Sequence, residues 1–456
     1  MKLVALAISL SVSSLAYAQP QKLARDIYKE LVEINTVTNS GDTGQAADAM
    51  AARLKAGGIP AADIQVFKPA PKKGNLVARL RGTGKKKPMI VMAHIDVVDA
   101  KREDWSMDPF TLTEKDGYFY GRGTGDDKFM ATAFVANLIR YKQENFHPSR
   151  DIILILETDE EIGDGNKLGI RWLIEHQRQL IDAEFALNEG GGVGMKNGKP
   201  LRNGIQTAEK VYVDYRIEVT NRGGHSSVPR KDNAIYRLAA GLERLGKFEF
   251  PVKLNETTKL WFERSAAMEA PQVAADMRAL AAGTADAAAI ARLSADPAFN
   301  AQMRTTCVAT MLQGGHAPNA LPQLARANVN CRVLPGESIV ELEITLAQIM
   351  ADYEIKVTRA YEPTTSQPSP LKPEIMQPIE KLTAKFWPGI PVIPSMSSGA
   401  TDGSFLRNAG IPVYGHSGLA GDIDDVRAHG RDERVSVKAF DDSLEYLYLL
   451  VKTLAQ

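Results

Sequence analysis

Two apolar runs stand out along the chain because no polar residue interrupts them: Met89-Ile-Val-Met-Ala93 and Ile152-Ile-Leu-Ile-Leu156. Continuous rather than alternating hydrophobicity suits interior strands of a sheet covered on both faces. Shorter strand-like stretches occur at Asn75 to Arg79 and Phe185 to Leu187. Helical spacing marks Leu23 to Leu31, Gln45 to Lys55 (stopped by Gly57-Gly58) and about Phe129 to Gln143. Strands and helices in alternation predict an α/β domain, a central sheet with flanking helices.

Around Lys210 the pattern changes. Val211-Tyr-Val-Asp-Tyr-Arg-Ile-Glu-Val219 alternates like a half-exposed strand, Asn233 to Leu245 is helical, and Asn328 to Leu334 reads as a strand. Residues 337 to 351 read as a helix, followed by strand-like Ile355 to Thr358. These elements predict an α+β unit inserted over 209–362, splitting the first domain into 19–208 and 363–456. Residues 265 to 303 are alanine-rich, and their periodic leucine, methionine and isoleucine favour extra helices over low-complexity disorder. The proline-rich stretch from Pro363 to Pro373 reads as the link back. Helical Ile379 to Phe386, strand-like Val413-Tyr414 and a closing helix to Leu454 complete the first domain, and no internal repeat is present.

A length of 456 residues agrees with two domains rather than one core. Lysine plus arginine total 55 and aspartate plus glutamate total 55, so the formal net charge is zero. That balance gives no attraction to nucleic acid or an anionic membrane and points to a small ligand. Residues 1–18 differ from the rest. Lys2 is their only charge, Leu3 to Leu10 is apolar, and Ala16-Tyr17-Ala18 sets small residues three and one before a cleavage point. This is the pattern of a secretory signal peptide, so the mature chain is expected to be exported, periplasmic or secreted. A short membrane anchor or a buried helix is the other reading, but the apolar stretch is too short to span a bilayer comfortably. Cys307 and Cys331, the only cysteines, lie in strand-like runs. A disulfide and two buried thiols on neighbouring strands both stay open.

Chemistry-bearing residues gather at strand ends. Met89 to Ala93 runs into His94-Ile95-Asp96, Ile152 to Leu156 into Glu157-Thr-Asp-Glu160-Glu161, and Phe185 to Leu187 into Asn188-Glu189-Gly-Gly-Gly192. Ligands of open α/β sheets bind at the carboxyl ends of strands. Clustered carboxylates repel unless a cation holds them. A fourth segment, Gly121-Arg-Gly-Thr-Gly-Asp126-Asp127-Lys128, matches neither dinucleotide fingerprint nor P-loop, and its two aspartates would repel phosphate. Carboxylates on a glycine-rich turn suit a divalent metal instead. Alone, His94 could be a capped strand end and Glu160-Glu161 an acidic helix start; with further donors in order, a site is the stronger reading.

These segments, together with His429 in His429-Gly-Arg-Asp-Glu-Arg-Val435, resemble the dizinc metallopeptidase family of carboxypeptidase G, aminoacylase-1 and carnosinase. Arg304-Thr-Thr-Cys-Val-Ala-Thr-Met311 and Gly314-Gly-His-Ala-Pro-Asn-Ala-Leu-Pro322 look most like the vacuolar carboxypeptidase S-like group. The resemblance implies one zinc held by His94 and Glu189 and a second held by Glu161 and His429. The resemblance further implies that Asp126 bridges them and is joined to Asp127 by a cis peptide. It also implies that Asp96 hydrogen-bonds the second nitrogen of His94 and that Glu160 is the general base. Imidazole and carboxylate donors suit zinc, with Co2+ or Mn2+ as substitutes. Two such ions, about 3.5–4 Å apart, activate water and polarise a scissile carbonyl. The family usually has glycine after the lysine, where this chain has Phe129.

In the inserted unit, Gly223-Gly-His225-Ser-Ser-Val-Pro229 resembles the family segment whose histidine reaches an active site, often that of a neighbouring subunit. His225 is thus expected to stabilise an oxyanion, and the chain to form a homodimer; a capped helix start with an incidental histidine is the plainer reading. Asn319 and Arg332 resemble the family's substrate-carboxylate clamp, and Ser397-Ser-Gly399-Ala-Thr-Asp402 a loop lining the site. No glycine-flanked elbow serine suggests a serine nucleophile. His429 is preferred to His416 as the last ligand because His-x-x-x-Glu-Arg-Val follows it; His147, His176 and His316 read as surface or loop residues. The expected activity is metal-dependent hydrolysis of an amide bond beside a free carboxylate, in a small peptide or N-acyl amino acid. A desuccinylase or deacetylase-type amidohydrolase on the same scaffold is one alternative. A catalytically silent exported binding protein is another, though it would not need Glu160.

Overall fold

A computed structural model describes residues 20–165 and 167–456; the expected signal peptide, residues 1–18, lies outside them. The chain forms two compact units, one built from residues up to Thr207 with Ser369–Ser395 and Thr401–Gln456, the other from Ala208–Pro368 with Met396–Ala400. The sequence reading leaves 363–368 and 396–400 with the first domain, whereas here both group with the second unit. The packing explains the shorter segment: Lys210 N–H donates to the Ser397 carbonyl at 2.9 Å, and Met396 is buried with Ala208 and Leu334.

In the first unit the longest sheet runs Ile64–Ala70, Lys73–Leu80, Ile152–Glu157, Met89–His94, Phe185–Asn188, Val413–Gly415, Lys199–Glu209, Val193–Lys196, Ala420–Asp422. The strands Ile152–Glu157, Met89–His94, Phe185–Asn188 and Val413–Gly415 are mutually parallel. Both uninterrupted apolar runs are buried throughout. Their alternate side chains serve two cores: Met89, Val91, Ala93, Leu154 and Leu156 face one, and Ile90, Met92, Ile153 and Ile155 the other. This sandwiching is why neither run alternates in sequence.

The helix Lys128–Gln143 is buried on nearly every side and lies against the closing helix Val437–Leu454, with Tyr141 Oη donating to the Tyr448 carbonyl at 2.7 Å. Phe129 is fully buried, its ring centroid 5.5 Å from that of Phe440. The departure from glycine at this position therefore fills core space. Among the described residues no helix is long and apolar enough to cross a membrane.

The second unit contains an antiparallel sheet in the order Thr306–Gly314, Leu324–Val333, Val211–Thr220, Ile355–Arg359. Val211, Val213, Tyr215, Ile217 and Val219 turn into its core beside Ala325, Ala327 and Val329. The small alanines hide the first half of strand Leu324–Val333 from a hydrophobicity reading, which begins it at Asn328. Cys307 and Cys331 sit directly opposite in register and form a disulfide. The alanine-rich stretch is helical, with Pro271–Ala282, Ala287–Ser294 and Pro297–Met303 packed about Phe262, Met277 and Leu293.

Candidate metal centre

His94 closes its strand level with Glu157 on the neighbouring strand, and Glu189 follows Asn188 at the end of Phe185–Asn188. The parallel strands thus deliver their donors to one edge. A cis peptide joins Asp126 to Asp127 just before the helix Lys128–Gln143, and Glu160-Glu161 open a short 3-10 turn. These pieces converge. Ligand atoms of His94, Asp126 and Glu189 lie within 4.8 Å of one another, as do those of Asp126, Glu161 and His429, and those of His94, Glu160 and Glu161.

Asp126 stands at the centre. Its Oδ1 is 3.0 Å from His94 Nε2 and its Oδ2 3.2 Å from His429 Nε2. Glu189 Oε2 lies 3.9 Å from His94 Nε2, and Glu161 Oε2 lies 3.0 Å from His429 Nε2. Each oxygen of one carboxylate therefore faces a different imidazole. The buried Asp127 has an Oδ2 with no hydrogen-bond partner.

His94 Nδ1 is 3.0 Å from the Asp96 backbone carbonyl. A carbonyl only accepts, so Nδ1 carries the proton and the Nε2 lone pair is left for a metal. The Asp96 carboxylate faces the same nitrogen and helps to raise the imidazole. It stands 3.7 Å from Nδ1 because it accepts elsewhere, from the Glu160 and Glu161 N–H groups at 3.2 Å each and from the Thr38 hydroxyl at 3.2 Å. Asp96 holds the Glu160-Glu161 turn in place, and its main chain orients His94.

The electrostatics are those of crowded like charges. Burial, then the charges of Asp126, Asp402 and Glu161, pushes Glu189 up to about 8 against the pull of His94. Burial and Glu189 likewise raise Glu160 and Asp127 well above the carboxylate range. Burial opposes the charged form of His94, but the surrounding carboxylates, Asp126 first, outweigh it and raise the imidazole. Hydrogen bonds to Asp126 and Glu161 raise His429 to about 10. Burial disfavours the charged form of Asp126, yet its two histidine partners hold it below the usual range. A cluster that takes up protons to relieve repulsion is one that divalent cations can satisfy instead, and its imidazole and carboxylate donors are of the type zinc accepts.

His416 has other work. It is fully buried, with Nδ1 2.7 Å from the Gly204 carbonyl and Nε2 2.7 Å from Tyr446 Oη. His147, His176 and His316 are exposed. Sequence reasoning missed Thr38 and the buried pair Arg122–Glu433. It also missed the carboxyl pair Glu157 and Asp402, in which burial and Asp402 keep Glu157 protonated well above its usual range.

The second unit carries the other four candidates. His225 pairs with Ala320, and the Asn319 carbonyl accepts the Ser226 N–H at 3.0 Å, so the His225 and Asn319 segments are neighbours. Ser227 N–H donates to His225 Nδ1 at 3.1 Å, which fixes the neutral ring's proton on Nε2, the donor that an oxyanion requires. Arg332 donates to the Ser398 carbonyl at 3.1 Å and lies over the Tyr212 ring at 4.4 Å. Gly399 N–H donates to Ser397 Oγ at 3.0 Å in the same loop.

Residues 90–453 match the model of Peptidase family M20/M25/M40. The chain belongs to this family. Among its M20 relatives, the human N-fatty-acyl-amino acid synthase/hydrolase PM20D1 is 30% identical over 373 residues, covering 80% of this chain and 74% of that protein. A probable carboxypeptidase S-like 2 of Dictyostelium discoideum is 28% identical over 381 residues, covering 80% and 71%. In structure, an M20 family metallo-carboxypeptidase from Sulfolobus solfataricus superposes with a TM-score of 0.69 at 17% identity, covering 95% of this chain and 99% of that one. The chain is a metal-dependent M20 hydrolase with the mixed α/β fold of that family.

Proposed function

We propose that the protein is an exported dizinc amidohydrolase cleaving the amide bond next to a free carboxylate in a small peptide or N-acyl amino acid. The observation that carries this reading is Asp126, whose two oxygens face His94 and His429 separately. His94, Glu189 and Asp126 would hold one ion, and Asp126, Glu161 and His429 the other. Bound zinc would supply the Lewis acidity that activates water and polarises the scissile carbonyl. Glu160, half-buried beside both donor groups, takes the proton from the attacking water and returns it to the leaving amine. Its raised affinity for a proton suits that exchange. Arg332 and Asn319 are assigned the substrate carboxylate, Gly399 the lining of the same site, and His225 Nε2–H the oxyanion.

Export rests on the pattern of residues 1–18, and the disulfide is in keeping with an oxidising compartment. The proposed homodimer finds support in Thr306–Gly314. It is a sheet-edge strand exposing Val308, Met311 and Leu312, the kind of edge that a second copy can cover. The names of the relatives, one a carboxypeptidase and one an N-fatty-acyl-amino acid hydrolase, set the substrate panel. The test is release of free amino acid from dipeptides and from N-acyl amino acids of short and long acyl chain. Turnover that zinc supports and chelation abolishes agrees with the proposal; a folded, zinc-loaded protein inert across the panel counts against it.

A further inference from the structure

Arg122 and Glu433 donate nothing to the metal centre, yet they tie together the two loops that complete it. Both are buried, 3% and 2% exposed. Glu433 Oε1 accepts the Gly125 N–H at 2.7 Å and the Asp126 N–H at 3.3 Å. Its Oε2 accepts the Gly123 N–H at 3.2 Å and Arg122 Nη1 at 2.7 Å. The other arm of Arg122, Nη2, donates to the Gly430 carbonyl at 3.0 Å and the Asp99 carbonyl at 3.3 Å, and the guanidinium lies 5.2 Å from the Trp105 ring centroid. One carboxylate thus gathers three backbone N–H groups of the Asp126 loop, which Gly123 permits by adopting φ +83°. One guanidinium grips the residue next to His429.

We infer that the Arg122–Glu433 pair is a latch that positions Asp126 and His429, and so sets affinity at the Asp126–Glu161–His429 site, two of whose ligands it holds, more than at the His94–Asp126–Glu189 site, of which it holds one. The inference rests on the two-metal reading above. A buried ion pair is a weak source of net stability, because desolvation offsets the attraction; what this one supplies is geometry. His429 needs such help. It is a non-glycine residue at φ +61° with a half-exposed side chain. Left-handed backbone of this kind persists only where surrounding bonds over-determine it. His94 and Glu189 stand instead at the ends of sheet strands and keep their places without the latch.

The test is titration of the metal-free full chain with Co2+, followed by visible absorption that resolves the two affinities. Wild type is compared with Arg122→Lys and with the double variant Arg122→Met/Glu433→Gln. Lysine keeps the charge beside Glu433 but lacks the fork that also reaches Gly430. It covers the case in which the double variant does not fold. Disturbing a group that orients a ligand typically costs about 10–100-fold in metal affinity. That loss is expected at the Asp126–Glu161–His429 site, with a smaller loss at the His94–Asp126–Glu189 site, which shares Asp126 alone. Equal losses at both sites, or no loss in a folded variant, overturn the latch. A wild type that takes up two ions while the variants keep both affinities overturns the latch alone. A wild type that takes up a single ion overturns the two-metal reading and the latch with it.

Discussion

Removing the metal should make the protein's stability fall as pH rises from 5 to 7. In the folded, metal-free chain burial and neighbouring carboxylates place Glu189 at about 8, against about 4.3 for an unfolded glutamate. Between those values the folded state keeps a proton that the unfolded state has released, so the stability slope with pH is negative. One such proton is worth about 1.4 kcal/mol per pH unit, which over two units gives about 3 kcal/mol from Glu189 alone. Glu160 and Asp127 are raised by the same burial and crowding and act in the same direction. His429, raised to about 10 by its hydrogen bonds to Asp126 and Glu161, joins them once unfolded histidine loses its proton. Asp126 is depressed, so its contribution is complete across this window and is lost only in stronger acid. His416, which burial lowers to about 4, works the other way up to about pH 6.5 and offsets one proton's share of the slope. A total stability of about 5–15 kcal/mol is typical, so the effect is measurable. The assay is urea denaturation of chelated protein at pH 5, 6 and 7, with Glu189→Gln alongside. The wild type should lose stability at each step, and the variant should lack one proton's share of the slope. Zinc-loaded protein should not show the fall, because a bound cation keeps the carboxylates ionised throughout. Chelated stability that is flat or rises with pH, or a variant with the wild-type slope, refutes the electrostatic account.

Glu160→Ala should lower kcat by about 100- to 10,000-fold, the usual worth of a general base, while metal content stays at the wild-type level; near-normal turnover removes the assignment. His429→Ala and His416→Ala should part company. The first should reduce bound metal, whereas the second breaks a buried Gly204–His416–Tyr446 connection and should cost about 1–3 kcal/mol with metal content intact. Elemental analysis and thermal melts separate the two, and a His416 variant that loses metal contradicts the ligand set. Phe129→Ala empties a fully buried ring site and should cost about 3–5 kcal/mol in urea denaturation; a cost below about 1 kcal/mol would mean that the core does not depend on that ring.

The central sheet was legible because Met89 to Ala93 and Ile152 to Leu156 are apolar on both faces, and their ends carried the donors in plain view. Shorter or more polar strands escaped notice. Lys199–Glu209 alternates weakly, with lysine, arginine and glycine along it, and Val392–Ser397 holds a proline and two serines. Pairing partners, not their own periodicity, make them strands. The donors His94, Asp126, Glu160, Glu161, Glu189 and His429 were read as a set, and their convergence is tertiary. Asp96 meets His94 with its main-chain carbonyl at 3.0 Å and its carboxylate at 3.7 Å, a division that no residue-type pattern carries. Arg122 and Glu433 were hidden for a related reason: the partners of both are largely backbone atoms, which leave no residue-type signature. A faint signal existed, since Arg122 lies inside the glycine loop and Glu433 four residues beyond His429.

The most direct test of the central claim is the number of zinc ions per purified mature chain, measured together with hydrolysis before and after chelation. The account predicts close to two ions per chain, loss of amino acid release on chelation, and its return with added zinc. A fully folded chain that binds no metal, or one whose turnover survives complete metal removal, contradicts it.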